Sequence, residues 1–597
     1  MNQKENIPIF FSVDNSFAPY LIVCLTSLIK NSSEYYHYTV HVLYTDLRPE
    51  LIEAIEGLSV DHVEIKTCDA IAYARTISDR LPIRDYYSAA TYYRLFIAEM
   101  FPQYDKVLYL DADTIILGNV ADLYHTDIGD NYVGACNELV MAQVKECGDY
   151  VEQCLGIDRN LYFNAGVLVI NAAKFREKRI LERFFALLNF YDFKITQDED
   201  YLNVLCKDHV KLIKQVWDVE TFMETIYSPS EFKIVHYIMA TKPWHFHEAK
   251  FSHFFWDYAK LTPYYERIKE NLEKYSDSHR KRDLAVMDNI LEACRKEIAS
   301  PDNYLRKLNR TRDQGRVKIL EKIAEYERLG KFDKDVEDDP PGRMIKPGEV
   351  DYLRKKPISK LKSAWAYTIA EYFLTKIQRK GQMIIKNIVG AENVAGLKTG
   401  AVITCNHFNA FDSFAVQLAY RKLATKKYYV LKRKFFRVIK EGNYTSFPGF
   451  YGFLMRNCNT LPLSSNLRTT REFLAATDKL LQKGNYVLVY PEQSMWWNYR
   501  KPKPLKKGAF VFAYTNDVPI IPIFITMQDS ENLGEDGFPI QEYTIHIGKP
   551  IYRDPSLSRG EAINKLRDEN YEIWKKVYED FYQIPLTYTT QESFEEE

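Results

Sequence analysis

The sequence predicts two α/β domains in series, joined by a charged helical linker. Three observations carry that expectation. Apolar strands alternate with amphipathic helices in both halves of the chain, the pattern of a largely parallel sheet covered by helices. At 597 residues the chain is too long to fold around one core. Between the halves, Asp333-Lys-Asp-Val-Glu-Asp-Asp-Pro-Pro-Gly342 is a solvated, helix-breaking run that marks a boundary.

In the first half, Ile7 to Val13 is a strand that ends at Asp14-Asn15-Ser16. Leu21, Leu25 and Leu28 recur at helical spacing; Tyr38 to Tyr44 is a second strand, Pro49 to Leu58 a second helix and Val63 to Thr67 a third strand. Tyr87 to Met100 reads as helix. Val107 to Leu110 is then a buried strand, broken by Asp111-Ala-Asp113 and resumed by Ile115, Ile116 and Leu117. Two carboxylates one residue apart at a strand end point the same way. They repel each other unless a cation sits between them, and hard oxygen ligands suit Mg²⁺ or Mn²⁺. Ligands of such sheets bind beyond the carboxyl ends of the strands, where Asp14 and Asp111 both fall.

Composition narrows the function. With 80 basic and 81 acidic residues the net charge is −1, which offers no attraction to nucleic acid. Nine cysteines without a Cys-x-x-Cys pair argue against a disulfide framework or a zinc site and for a reducing compartment. The opening Met-Asn-Gln-Lys-Glu-Asn-Ile-Pro has no apolar signal region, and no window reaches 18 uncharged apolar residues. The expectation is a cytoplasmic protein with peripheral contact to the inner membrane face.

Three further clusters lie in this half: Tyr162-Phe-Asn-Ala-Gly166, Gln197-Asp-Glu-Asp200 ahead of a short helix, and His236-Tyr-Ile-Met-Ala-Thr-Lys-Pro-Trp244. In this order, with Arg94 in Ala-Ala-Thr-Tyr-Tyr-Arg and Phe255-Trp-Asp-Tyr-Ala259, they resemble glycosyltransferase family 8, the lipooligosaccharide galactosyltransferase and glycogenin group. The resemblance covers residues 5 to 275 and implies a Rossmann-like glycosyltransferase A fold over 1–275. It implies a nucleotide-sugar donor, usually UDP-linked, and retention of the anomeric configuration. By carry-over, Asp111, Asp113 and His236 would hold Mn²⁺, or Mg²⁺, against the diphosphate. Asp14 would contact the nucleoside, Arg94 and Lys242 would neutralise phosphate or order the donor, and Asn164 and Asp198 would hold sugar hydroxyls. Met239 stands where the family has Gly, and Glu199 where the galactosyltransferases have Gln. Two readings of Glu199 stand: a carboxylate beside the anomeric carbon, or an acid placed in the first turn of a helix.

Residues 276–345 read as the linker, with Leu284, Met287, Ile290 and Leu291, then Ile319, Ile323 and Tyr326, as helical stripes that serve as spacer or packing arm. Arg354, Lys355, Lys356, Lys360 and Lys362 then lead into a helix carrying Trp365, Ile369, Tyr372, Phe373 and Ile377. This suits an interfacial anchor and equally an ordinary half-buried helix.

Over 346–597, the strand Gly400 to Cys405 delivers Asn406-His-Phe-Asn-Ala-Phe-Asp-Ser413. A carboxylate five residues from a histidine can fix the imidazole tautomer and leave the other nitrogen as a base. Asn485-Tyr-Val-Leu-Val-Tyr-Pro-Glu-Gln-Ser494 is a buried strand ending in an acid, Glu492, and Val518-Pro-Ile-Ile-Pro-Ile-Phe-Ile525 is another. This order resembles the glycerolipid acyltransferases of the 1-acylglycerol-3-phosphate type. The resemblance implies that His407 deprotonates an acceptor hydroxyl attacking a thioester of coenzyme A or acyl carrier protein. Asp412 would orient His407, and Glu492 would support the site or serve as a buried structural acid. The family's Gly-Thr-Arg is here Gln493-Ser494-Met495, and Ser464 stands where a second arginine is expected. Arg456, Arg468, Arg500 and Lys501 are the nearby cations that could substitute.

Together these readings describe a bifunctional transferase with a nucleotide-sugar donor, an acyl-thioester donor and a lipid or saccharide acceptor. The alternative is a glycosyltransferase whose second half is a catalytically silent membrane-docking module.

Overall fold

A computed structural model describes residues 4–71, 89–337, 342–409, 411–423 and 434–592. The first residues of the expected helix Tyr87–Met100 and positions 338–341 of the acidic run lie outside them. The chain divides into two compact units, Met1–Leu308 and Asn309–Glu597.

The first unit contains β1 (Asn6–Ser12), β2 (His37–Tyr44), β3 (Val63–Asp69), β4 (Val107–Leu110), β5 (Thr114–Ile116), β6 (Val133–Asn137), β7 (Phe163–Ile170), β8 (Val210–Leu212), β9 (Val219–Glu220) and β10 (Ile234–His236). Seven of them form a sheet in the order β3-β2-β1-β4-β7-β6-β8. The strands from β3 to β4 are parallel, and β7 runs antiparallel to both its neighbours. The continuous apolar runs follow from burial on both faces. Val107 and Tyr109 of β4 enter one core layer while Leu108 and Leu110 enter the other. β7 repeats this, with Leu168 and Ile170 on one side and Val167 and Val169 on the other. Each such side chain contributes about 1.5–3 kcal/mol by leaving water.

At Asp111-Ala-Asp113 the chain leaves this sheet. β5 joins a second, three-stranded sheet in the order β5-β10-β9. Its antiparallel register sets Thr114 opposite His236, and the parallel β9 sets Glu220 beside His236. Two distant segments are thereby brought to the end of β4. One local expectation is revised: Ala89–Leu95 is a 3₁₀ turn, and α-helix covers only Ile97–Met100. The Thr91 carbonyl accepts a bond from Arg94 Nε at 2.8 Å, which holds the tighter turn and aims the guanidinium inward.

The second unit contains β11 (Ile384–Val389), β12 (Ala401–Thr404), β13 (Phe435–Ile439), β14 (Thr460–Pro462), β15 (Tyr486–Val489), β16 (Ile520–Leu533) and β17 (Pro539–Ile547). They form a sheet in the order β11-β17-β16-β12-β15-β13-β14, parallel except for the β16–β17 pair. β16 outruns the strand expected at Val518–Ile525 because it continues as one arm of an antiparallel ribbon. β12 and β15 lie side by side with Thr404 opposite Val489, so the segments after them meet.

Residues 276–345 are shared between the two units. Cys294 and Tyr304 pack into a core of the first. Ile323 and Val336 pack with Trp496, Trp497 and Phe538 in the second. All nine cysteines are free thiols, eight of them buried. No described helix is long and apolar enough to cross a membrane.

A fragment of residues 309–597 is expected to unfold in one cooperative transition. One starting at residue 346 should lose cooperativity or solubility, because it uncovers Trp496 and Trp497. Circular dichroism melts of the two fragments check this.

Candidate active sites

In the first unit the ends of β4, β7 and β10 converge. Asp111, Asp113 and His236 bring ligand atoms within 4.8 Å of one another. His236 Nε2 lies 3.3 Å from Asp113 and 4.0 Å from Asp111, while Nδ1 pairs with Asp218 at 2.9 Å. Asp218 is fully buried. It accepts from Nδ1–H and points Nε2 toward the two aspartates, the placement found in histidines that ligate metals. Gly166 completes the fit, since a Cβ there would come within 2.3 Å of His236 Cε1 and 2.7 Å of Asp111 Oδ2. Two carboxylates and a neutral imidazole suit a divalent cation of the Mg²⁺/Mn²⁺ kind.

Cations already in the protein hold these carboxylates. Arg94 is 4% exposed. It donates to Asp111 at 2.9 Å, approaches Asp198 at 3.2 Å, and also donates to the carbonyls of Thr91 and Ala165. Tyr109 donates to Asp111 at 2.8 Å, and Lys242 pairs with Asp113 at 2.5 Å. Arg94 thus spends its donors inward.

A second layer of acids lies behind. Asn164 donates to buried Glu138 and accepts from Gly166 N–H at 2.8 Å. Glu220, 1% exposed, accepts from Leu139 N–H at 3.1 Å. Glu199 accepts from Ala165 N–H at 3.0 Å, so its carboxylate is tied to β7 and does not cap its own helix. Burial, then the neighbouring Glu138 carboxylate, holds Glu199 well above the usual range. Burial also lifts Asp198 to about 6, although Arg94 opposes it. Asp218, Glu138 and Glu220 were not singled out from the sequence; they carry no motif spacing and arrive through strand pairing.

Two backbone positions are unusual. Met239 has φ +60°, in the left-handed region that costs a side-chain-bearing residue about 1 kcal/mol, and Gln197 has φ +51° with ψ −116°. The family's Gly at the Met239 position is accounted for by that φ. Asp14 accepts from Ser16 N–H at 2.9 Å and Phe17 N–H at 3.0 Å, which closes the turn into the first helix.

In the second unit His407 and Glu492 follow the adjacent ends of β12 and β15. His407 Nδ1 bonds Asp412 at 2.6 Å, and Tyr490 donates to the other Asp412 oxygen at 2.6 Å while stacking on the imidazole at 4.1 Å. Asp412 is 3% exposed, so the carboxylate fixes the tautomer and leaves Nε2 as the basic nitrogen. Glu492, 2% exposed, accepts from the backbone N–H groups of His407 and Lys503, both at 2.9 Å. Its carboxylate is raised by burial against the opposing Lys503, which itself donates to Ser494. Glu492 therefore clamps the segment carrying His407.

His407 and Asp412 open into a cavity of about 420 Å³ with Arg437, Lys440, Phe447 and Met495 on its walls. Asp335 and Glu337 of the acidic run line it too. That run is strapped across the 494–497 block. Ser494 Oγ donates to Phe332 O at 2.6 Å, Trp496 Nε1 to Lys334 O at 2.7 Å, and Met495 N–H to Asp335 at 3.0 Å. The four substitute cations do not line the cavity. Arg456 donates to the carbonyls of Tyr444 and Phe447, Arg500 to Asp529, and Lys501 to Glu327.

A pH test isolates one buried acid of the first unit. Asp200 accepts from Tyr150 at 2.8 Å and Tyr162 at 2.9 Å, yet burial lifts it to about 6. A raised carboxylate binds its proton more tightly folded than unfolded, so it costs stability above pH 6 and the cost fades toward pH 4. Between pH 7 and 5, wild type should gain about 1 kcal/mol over Asp200→Asn in denaturant unfolding.

Both sites fall within stretches that match known protein families. Residues 8–248 match the family model described as Glycosyl transferase family 8, and residues 385–526 match that described as Acyltransferase. A putative glycosyltransferase of Haemophilus influenzae is 30% identical over 217 residues, which are 35% of this chain and 62% of that protein. The chain thus spans less than two thirds of that relative. A lipopolysaccharide 1,2-glucosyltransferase of Escherichia coli is 23% identical over 50% of this chain and 92% of its own length. A solved galactosyltransferase, LgtC with donor and acceptor sugar analogues, is 24% identical over 46% of this chain and all of its own, with a TM-score of 0.34. The chain carries a family 8 glycosyltransferase domain followed by an acyltransferase domain.

Proposed function

We propose that the chain is a bifunctional transferase. Its first domain moves a hexose from a nucleotide-sugar donor, and its second acylates a lipid or glycolipid hydroxyl from a coenzyme A or acyl-carrier-protein thioester. The observation that carries the first activity is the convergence of Asp111, Asp113 and His236 with Asp218 fixing the imidazole. The names of the relatives point to a hexosyl donor and a lipopolysaccharide-like acceptor. Asp111, Asp113 and His236 would hold Mn²⁺, or Mg²⁺, which when bound offsets the charge developing on the diphosphate leaving group. Arg94 acts as a positioning residue that orders Asp111 and Asp198. Asn164, Asp198 and Glu199 would hold the sugar, Lys242 would neutralise phosphate from its place beside Asp113, and Asp14 would contact the nucleoside.

For the second activity the carrying observation is the His407–Asp412 pair opening into the cavity. His407 Nε2 takes the proton of the acceptor hydroxyl, and the oxygen attacks the thioester carbonyl. The C–S bond breaks, and the leaving thiolate takes the proton back from the imidazolium. Glu492 keeps the His407 backbone in place.

The helix Pro357–Arg379 supports a peripheral contact with membrane. It buries Ala366, Ala370, Leu374 and Ile377, and turns Ile358, Leu361, Trp365 and Tyr372 outward at 64–73% exposure. Lys355, Lys356, Lys360 and Lys362 flank that stripe. Each cation near an anionic surface contributes about 1 kcal/mol, and the aromatic residues bury into the interface.

Asp111→Asn should abolish metal-dependent release of nucleoside diphosphate, a loss of at least about 100-fold, and leave thioester consumption unchanged. His407→Ala should do the reverse. Coupled assays of both activities on each variant check this, and loss of both in either variant would overturn the division of labour. Trp365→Glu should weaken binding to vesicles containing anionic phospholipid by about tenfold in sedimentation, with both activities on soluble substrates retained.

A further inference from the structure

The acyltransferase cavity carries an unusual charge arrangement. Among the described residues its lining cations are Arg437 and Lys440, and its lining carboxylates beyond the His407–Asp412 pair are Asp335 and Glu337. Lys440 is paired with Asp335, and Glu337 is paired with Arg316 at 2.6 Å. Arg437 is 6% exposed, and its two amino groups donate to Cys458 O at 3.1 Å and Gln417 at 2.8 Å. Its Nε is buried away from the cavity and has no partner.

Both positions where an arginine is expected lead to a carboxylate. The Met495 N–H donates to Asp335 at 3.0 Å, and the Ser464 hydroxyl donates to Glu441 at 2.8 Å. A phosphate dianion needs several unspent cationic donors. This cavity offers a buried guanidinium bonded to Cys458 and Gln417 and a lysine paired with Asp335, and sets fixed carboxylates in the dianion's way. Carboxylate oxygens instead accept from hydroxyls. Asp335 is held in place, because the carbonyls of Phe332 and Lys334, just before it in the chain, are bonded to Ser494 and Trp496.

We propose that the acyl acceptor is a neutral, hydroxyl-bearing molecule, and that Asp335 is the specificity-determining residue that excludes a phosphorylated one. This rests on the acyl-transfer reading of the second domain. It assigns catalytic-domain specificity to a residue of the connecting segment.

The test uses the full chain and two acceptors that differ by one phosphate, 1-acylglycerol 3-phosphate and 1-monoacylglycerol, in neutral detergent micelles. Equilibrium binding of both is measured with wild type and Asp335→Asn, and acyl transfer is measured alongside. Wild type is expected to bind the neutral acceptor at least as tightly as the phosphorylated one. Asp335→Asn, which keeps an acceptor oxygen for Met495 N–H, should tighten the phosphorylated acceptor about tenfold and shift the binding ratio of the two acceptors toward it. Preference of wild type for the phosphorylated acceptor, or an unchanged ratio in Asp335→Asn, would overturn the proposal. Because binding is read without turnover, its outcome is separate from that of the acyl-transfer reading, which fails if His407→Ala still consumes thioester.

Discussion

Both sites depend on one interaction, a buried carboxylate that accepts a hydrogen bond from the Nδ1–H of an imidazole. Asp218 does this for His236 and Asp412 does it for His407, at 2.9 and 2.6 Å. The consequence is the same in each case, a fixed tautomer with Nε2 presented outward. What Nε2 then does is set by what faces it. Nε2 of His236 faces two aspartates, and that of His407 belongs to a ring that lines an open cavity. Without the buried carboxylate each ring would be free to turn, and neither chemistry would have a defined axis.

The two sheets supply the precision. In each, a histidine-bearing segment and an acid-bearing segment leave neighbouring strands at the same level. Thr114 lies opposite His236 across β5–β10, and Thr404 lies opposite Val489 across β12–β15. Burial of both sheet faces makes a one-residue slip costly, because it would exchange the two core layers at every position of β4 and β7. Register, set by hydrophobic packing, is therefore what holds the distances at the sites.

That division also explains what could be read from the sequence. The strand runs from Ile7 to Val13, Val107 to Leu110 and Tyr486 to Val489 were legible because full burial leaves them continuously apolar. The Asp-Ala-Asp, the His236 cluster and the His407–Asp412 spacing were legible because their chemistry is local. Asp218 and Glu138 were not, since their partners lie 18 and 26 residues away and are reached through pairing or a single hydrogen bond. The 3₁₀ turn at Ala89–Leu95 escaped because a side-chain bond from Arg94, invisible to periodicity, sets it. The acidic run was misread most, as a solvated stretch, because a row of charges does not announce that Val336 between them is 3% exposed.

That acidic run lies outside the stretch 385–526 that carries the acyltransferase resemblance. A wall of the second cavity is thus built by residues outside the matched stretch that holds His407, Asp412 and Glu492. Under the proposed specificity, exchanging the segment before this domain would keep the His407–Asp412 pair and change the acceptor it admits. The junction between the two enzymes is in that sense a part of one of them.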